Sequence, residues 1–565
     1  MRNLRWQLVI ALGGLLLVVG LLLGQTPDPS IASIQPVQGG AYAEALVGEV
    51  VRLNPLLDFQ NQVDRDIDRL LYGSLIRFDS RGNPVVDLAQ SYAVSADATL
   101  YTFTLREDAE WHDGEPVTSD DVVFTFSKFQ EEDYPGPPDL HEVWQEIGIV
   151  RLDDHNVQFQ LPEPFAPFLD FMATGLLPDH LLRGATAAEL IDHPFNLEPV
   201  GTGPFRFESF LQGEDGQLAG VSLTAFESHY AGRPYLERVE FRLYPSASQA
   251  LQAYQEELVQ GVAGIPASSL PTATSLPGTD LYSAVGPFTT LVFLNTAHPD
   301  KTFLGQKEFR QALLLSTNRE WLINQFYDGQ AVPAVGPLLP GSWGFANGLP
   351  DVPFDPALAE DKLDELGWTT PPGSVPGTPE YFRSLEGEPL SFELAYPAMD
   401  GYAQLAEALQ SSWAAVGVRT ELVPVDPESV TSELLQPREY EAVLTELDLS
   451  RYPDPDPYPF WHDSQVETGQ NYSQFSDRNI SIWLEQARTN PITRRRMEFY
   501  RDFQYRFQDQ LPALMLFHPV YTYAISSTVQ GPSLGPIQDP SDRFQNISQW
   551  FLLVRRGFAA PSPTP

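Results

Sequence analysis

The chain has no cysteine in its 565 residues. That absence excludes disulfides, thiolate metal sites, cysteine nucleophiles and a lipid-bearing cysteine behind an N-terminal leader. Basic residues are few: 34 Lys and Arg stand against 75 Asp and Glu, a formal net charge of -41. A surface of that sign repels phosphate backbones, so no nucleic-acid partner is expected. The acidic residues form no long run and read as a solvated, soluble surface. Catalytic patterns are missing too. The nine histidines include no H-E-x-x-H and no pair four apart, and no G-x-S-x-G places a serine nucleophile. The expectation is a protein that is not an enzyme, with no catalytic residues, no metal and no cofactor.

Hydrophobic residues make up 42% and charged residues 19%, the balance of a packed globular chain. At this length two or more lobes are expected. One long apolar run is present, at the N-terminus. Arg2 and Arg5 precede an uncharged stretch from Leu8 to Leu23, close to the roughly 20 residues of a membrane-spanning helix. It exceeds the about 7–15 residues of a cleavable signal, and no small-residue cleavage site follows it directly. Ala41-Tyr-Ala43 lies far downstream. Residues 1–24 are therefore read as a membrane anchor, in preference to a signal segment whose removal would release the protein. The positive flank stays inside, which puts the rest on the outer face of the cytoplasmic membrane, in a periplasm or at the cell surface. Residues 25–41 read as a linker and 556–565 as a disordered tail.

Between these ends, strand and helix signals alternate. Leu100–Arg106 alternates apolar and polar residues as a half-buried strand does. Thr118 with Asp121 is a capping-box start for a helix carrying Val122, Phe126 and Phe129 on one face. Asp355 and Pro356 open a helix that Gly367 closes. Leu390–Tyr396 reads as a strand, Leu405, Leu409, Trp413 and Val416 as one helical stripe ended by Gly417, and Val418–Val425 as a second strand. That is a βαβ unit with parallel strands. Phe499, Phe503 and Phe507 mark a last helix, ended by Pro512. The fold class is α/β. Two motifs are set aside. Gly201-Thr-Gly203 lacks the third glycine of a dinucleotide loop, since Arg206 occupies that place, and is read as a structural turn. Asp454, Asp456 and Asp463 do not form a calcium loop, because Tyr458 and Pro459 stand where a ligand and a glycine are needed.

The stretch from Tyr101 to Phe124, with Trp111-His-Asp-Gly-Glu-Pro-Val117 at its centre, resembles the signature of family 5 extracellular solute-binding proteins. These are the oligopeptide-, dipeptide- and nickel-binding proteins of bacterial ABC importers. Further blocks follow in the family's order: Pro199–Phe207, then Tyr230 to Leu236, Leu294-Asn-Thr296, Phe309–Leu313, Leu363–Trp368 and Asp454–Trp461. The resemblance implies a two-lobed periplasmic-binding-protein type II fold with an extra subdomain in the first lobe. On that pattern lobe I is 42–285, with the extra subdomain about 80–195 and a return at 511–555, and lobe II is 286–510. It also implies a monomer that encloses a peptide or another small solute by hinge closure and delivers it to permease and ATPase subunits.

The same resemblance places Asp454-Pro455 beside the ligand. In peptide-binding relatives an acid three residues earlier pairs with the peptide's amino group. Here that place holds Arg451, which donates hydrogen bonds and accepts none, and so suits a carboxylate or phosphate instead. Asp448 could substitute if the loop is shifted, and Arg451 could equally pair with Asp454 or Asp456. The candidate ligand contacts are Arg451, Tyr452, Asp454, Asp456, Phe460, Trp461 and His462, the aromatics as an apolar wall. Alternatives within the same fold are a metal chelate, a sugar or an anionic solute, and a non-transport sensor or chaperone.

Overall fold

The computed structural model describes residues 36–553 apart from 80–81, 214–215, 377, 379 and 451–452. The expected anchor and tail lie outside the described residues. Among those described, no helix is long and apolar enough to cross a membrane. The chain divides at Gln38, and every strand and helix from Ala41 onward belongs to the unit that begins at Gly39.

Strand β1 (Ala41–Val47) leads into helix α1 (Gln62–Leu71), capped by the Asn61 side chain. A small antiparallel sheet follows, built from β2 (Ala89–Val94), β3 (Leu100–Leu105), β4 (Gly148–Arg151) and β5 (Asn156–Gln160) in the order β2-β3-β5-β4. The alternation read at Leu100 is real: Tyr101, Phe103 and Leu105 are buried while Leu100 faces out. Helix α2 (Ser119–Ser127) begins with the expected capping box of Thr118 and Asp121. Its Phe126 stacks on Trp144 at 5.1 Å, and Phe129 stacks on the same indole at 5.3 Å. This small sheet falls within the stretch expected to form an extra subdomain.

The chain then enters the main sheet with β6 (Phe205–Gln212), β7 (Leu218–Ala225), β8 (Arg238–Tyr244), helix α3 (Ala247–Gln255), β9 (Gly261–Ala263) and β10 (Thr279–Val285). After a tight crossing at Gly286 and Pro287 come β11 (Phe288–Leu294), β12 (Ala331–Pro333), α4 (Pro356–Glu365), β13 (Ser391–Pro397), α5 (Asp400–Ala414), β14 (Arg419–Val425) and β15 (Ala442–Asp448). Helices α6 (Arg478–Thr489) and α7 (Thr493–Gln510) precede β16 (Ala513–Ser526). The order across the main sheet is β14-β13-β15-β11-β16-β9-β1-β8-β7-β6, with β10 and β12 also paired to β16.

The expected βαβ unit is present: β13 and β14 are parallel over their full length, with α5 as the crossover. Gly417 closes that crossover at φ +83, a left-handed conformation in which any Cβ is strained. Asp355 caps α4 by accepting from Leu358 N–H, and Gly367 follows it at φ +87.

Packing separates the unit into two groups of cores. Tyr42, Trp111, Phe241 and Trp550 belong to one cluster, and Ala45, Leu251 and Val262 to another on the opposite face of the same strands. Val292, Leu409 and Trp413 form a third, with Leu291, Phe293, Phe503 and Phe507 across the sheet from them. Strand β16 serves both groups. Its start pairs with β11, from Phe293 opposite Ala513 to Thr290 opposite Phe517. Its end pairs with β10 and β9, with Val285 opposite Val520 and Val262 opposite Ala524.

Candidate ligand cleft

Parallel strands β1, β8 and β9 end on the side where β16 crosses from one core group to the other, and so do β13, β14 and β15. The crossing is narrow. Gly286 N–H donates to Pro519 O at 2.8 Å, and Leu449 N–H donates to Pro287 O at 2.8 Å. A Cβ on Gly286 would lie 2.9 Å from Pro519 O, so glycine is required for this approach. Carboxyl ends of parallel strands facing a break in the sheet are the usual place for a ligand.

Two acids stand at the end of β15. Glu446 and Asp448 share one face, opposite Thr290 and Phe288 of β11, and both side chains keep solvent access. The protein around Glu446, with Asp448's charge beside it, pushes its carboxyl up to about 7. The Tyr327 and Tyr402 hydroxyls are raised by burial and then by Glu446's charge, which places both rings near it.

The Asp-Pro segment follows. Of its expected ligand contacts, Arg451 and Tyr452 lie outside the described residues. The Asp454 carboxylate is gripped by Arg496, whose Nη2 donates to Oδ1 at 2.6 Å and whose Nη1 donates to Oδ2. The Tyr500 hydroxyl adds a longer contact at 3.4 Å. Helix α7 sets this up by placing Arg496 and Tyr500 one turn apart. Asp456 accepts from Arg488 Nε at 2.8 Å, and the Arg488 guanidinium lies 3.9 Å from the Tyr458 ring centroid. Trp461, expected as a ligand wall, is 2% exposed. It packs on Phe507 at 4.6 Å and on Phe293 at 6.1 Å, so its indole belongs to the core. Phe460 is half-buried against that same cluster. His462 stacks on Tyr458 at 4.0 Å, and its Nδ1 accepts from Ser464 N–H at 3.0 Å. Its Nε2 is 3.2 Å from Glu485. Asp454, Asp456 and His462 thus each have partners within the protein, and any ligand contact they make is shared with those partners.

The segment also touches the first core group. Asp454 N–H donates to Asp170 Oδ2 at 2.9 Å, Ala166 N–H donates to Arg488 O at 2.7 Å, and Arg488 lies 5.2 Å from the Phe165 ring centroid. Burial, and then Asp454's charge, hold the Asp170 carboxyl well above the usual carboxylate range. Nothing in the sequence around Asp170 announces this role, because its partner lies 284 positions away.

A cavity of about 320 Å³ lies beside the crossing. Ser283–Val285 of β10 and the Leu534–Gln538 loop wall it from the first core group, and Leu339, Pro340 and Ser342 from the second. None of the described residues expected to contact ligand lines it. Among the described residues no group of three or more His, Asp and Glu could hold a metal ion.

Strand ends thus converge on a crossing, beside a cavity walled from two core groups. The model of bacterial extracellular solute-binding proteins, family 5, matches residues 83–470, and the chain belongs to that family. It is 25% identical over 527 residues to the oligopeptide-binding protein AppA of Bacillus subtilis, covering 92% of each chain. It is 24% identical over 504 residues to the dipeptide-binding protein of Escherichia coli, covering 85% of this chain and 89% of that one. The solved structure of Bacillus subtilis AppA in complex with a nonapeptide superposes with a TM-score of 0.73 at 24% identity, over 92% of this chain and 100% of that one. Campylobacter jejuni NikZ in complex with Ni(L-His) gives 0.73 at 22%, over 90% and 99%.

Proposed function

We propose that this chain is the extracytoplasmic solute-binding subunit of an ABC importer, capturing peptides or peptide-like small solutes between two lobes. Lobe I comprises 42–285 with the return at 511–555, and lobe II comprises 286–510. The captured solute passes to permease and ATPase subunits, and residues 1–24 tether the protein to the outer face of the membrane. The observation that carries this reading is similarity along nearly the whole chain to an oligopeptide-binding protein. A cavity walled from both core groups supports it. A thermal-shift screen against peptides of two to eight residues, sugars and metal chelates tests it. Stabilisation by peptides is the expected result, and stabilisation by a non-peptide alone would overturn the peptide assignment. Intact-mass measurement of the membrane-extracted protein should find residues 1–24 retained.

A second reading keeps the fold and changes the ligand. It is favoured by Arg451, which stands where the family resemblance expects an acid, and by the nickel–histidine complex of the NikZ structure. If Arg451 faces the ligand, Arg451→Asp should tighten binding of amine-bearing ligands by about tenfold, one charge-assisted contact's worth. Unchanged affinity for every ligand would assign Arg451 to the protein's own acids.

A further inference from the structure

Away from the crossing, the two core groups meet along a seam. Phe168 belongs to the core cluster of Tyr42 and Trp111, with Phe165 and Leu169 packed against it. Tyr500 belongs to the cluster of Phe293 and Trp461. Asp170 lies on the first side, 8% exposed, in the single helical turn Phe168–Phe171. Its Oδ2 accepts from Asp454 N–H, on the second side, at 2.9 Å. Beside it, Ala166 N–H donates to Arg488 O at 2.7 Å, and the Arg488 guanidinium covers the Phe165 ring.

The charges along this seam are unequally shared. Asp454, Asp456 and Arg496 face Asp170 from the second group. Arg496 commits both terminal nitrogens to Asp454, and Arg488 pairs with Asp456. From its own side Asp170 has Tyr101 of β3 nearby, whose ring packs on Phe168 at 4.6 Å. Burial holds that hydroxyl up to about 12, so it stays neutral. The donor that reaches the Asp170 carboxyl across the seam is thus one uncharged backbone N–H. A carboxylate withdrawn from water needs more than that, and the Asp454 carboxylate alongside repels it. Parting the two groups reverses each of these terms. Asp454, Asp456 and Arg496 leave with one side, and Asp170 meets water as an ordinary carboxylate.

We propose that Asp170 takes up one proton as the two core groups close on each other and returns it to water as they part. Acid therefore favours the closed arrangement. The closed form binds more protons, so its share falls as pH rises above about 4, by up to about tenfold per pH unit, and levels off once Asp170 ionises in the closed form as well. This rests on the reading that the groups part to admit a solute, and it adds a proton that travels with each capture and release.

A chain without cysteine allows labels to be placed at will. Leu152 joins β4 to β5 on the first side, and Ile492 precedes α7 on the second. They are 51% and 58% exposed, so Leu152→Cys and Ile492→Cys together accept a pair of spin labels on the full chain. Label distances measured without added solute report the closed and parted populations. The parted-to-closed ratio is expected to rise at least about tenfold from pH 5 to pH 7. In Asp170→Asn it should stay within about twofold, because the carboxamide keeps an acceptor for Asp454 N–H and does not ionise. Asp170→Ser takes its place if the asparagine variant does not fold. A wild-type distribution indifferent to pH while Arg488→Ala shifts it would overturn the proton proposal alone, as would a pH response that survives in Asp170→Asn or Asp170→Ser. A distribution that neither pH nor Arg488→Ala changes would overturn the parting motion beneath it.

Discussion

Asp454 and Arg496 show what a buried charge pair asks of its surroundings. Both side chains are almost fully withdrawn from water, and Asp170 brings a second carboxyl to within one hydrogen bond of the Asp454 backbone. Arg496→Met should therefore cost about 3–5 kcal/mol in urea denaturation, because an uncompensated carboxylate is left in the core. Replacing Tyr500 by Phe should cost less, about 1.5–3 kcal/mol, since it removes the acceptor of a buried 2.8 Å bond from Arg496 Nη2 while the Arg496 grip on Asp454 remains. His518 is a different case. It is 0% exposed, and burial lowers its imidazole to about 4, with only the Phe288 carbonyl opposing. A folded-state value below the unfolded one means stability that is whole above pH about 6.5 and drains away as pH falls toward 4. The loss attributable to His518 reaches about 3 kcal/mol. Denaturation midpoints measured from pH 7.5 to 4.5 should fall less steeply in His518→Asn than in the wild type. Little of this could be read from sequence. The Asp-Pro motif marked Asp454, but its counter-ion lies 42 positions on. Trp461 has the composition of a ligand wall and the environment of a core, and only packing tells them apart.

At the scale of elements, legibility was highest where the chemistry is local. The caps at Thr118, Asp355 and Gly367 and the stripe of Leu405, Leu409 and Trp413 satisfy or bury groups within a few residues of themselves and form where the pattern placed them. Val416, expected as the stripe's last member, is buried but lies past the helix's end at Ala414. Gly201-Thr-Gly203 is legible as a turn but not in its purpose, which is to let two segments touch. Gly203 N–H donates to Leu71 O at 2.8 Å, Thr202 Oγ1 accepts from Gly73 N–H at 2.9 Å, and His112 Nδ1 accepts from Gly201 N–H at 3.1 Å. A Cβ on Gly201 would lie 1.9 Å from Leu71 O, and one on Gly203 would lie 2.3 Å from Leu70 O. These contacts are with backbone, which has little room to yield. Gly201→Ala should lower stability by about 3 kcal/mol, at the upper end of overpacking costs, whereas Gly114→Ala, with nothing within 4 Å of its Cβ, should show only the smaller penalty of its left-handed φ. Thermal melts of the two variants side by side check the contrast. Strand β16 was not legible as one element. It carries Pro519 in its interior, where proline is disfavoured, and continues past it because the proline sits where the partner changes.

For the molecule as a whole, the contacts of Phe165, Ala166 and Asp170 with Asp454 and Arg488 tie the two core groups together away from the crossing. Family membership and the α/β class were readable from motifs in order, but the regions that touch across the cleft were not, since they are separated by hundreds of residues. Arg488→Ala removes the stacking on Phe165 and the ion pair with Asp456 together. A cation–π contact of about 0.5–2 kcal/mol corresponds to a roughly 2- to 30-fold change in an equilibrium constant. Small-angle scattering of the ligand-free variant should accordingly report a larger radius of gyration than the wild type, and saturating ligand should bring the two together.

The place of β16 in the sheet sets an order in time. It lies between β11 and β9 at the middle of the order, yet its residues 513–526 follow those of every other strand of that sheet in the chain. Until they emerge, neither core group has its central strand, and the long separations between partners make closure slow. The main sheet of a growing chain therefore cannot be completed before residues 513–526 are made, and until then the strands of both core groups lack the partner they share.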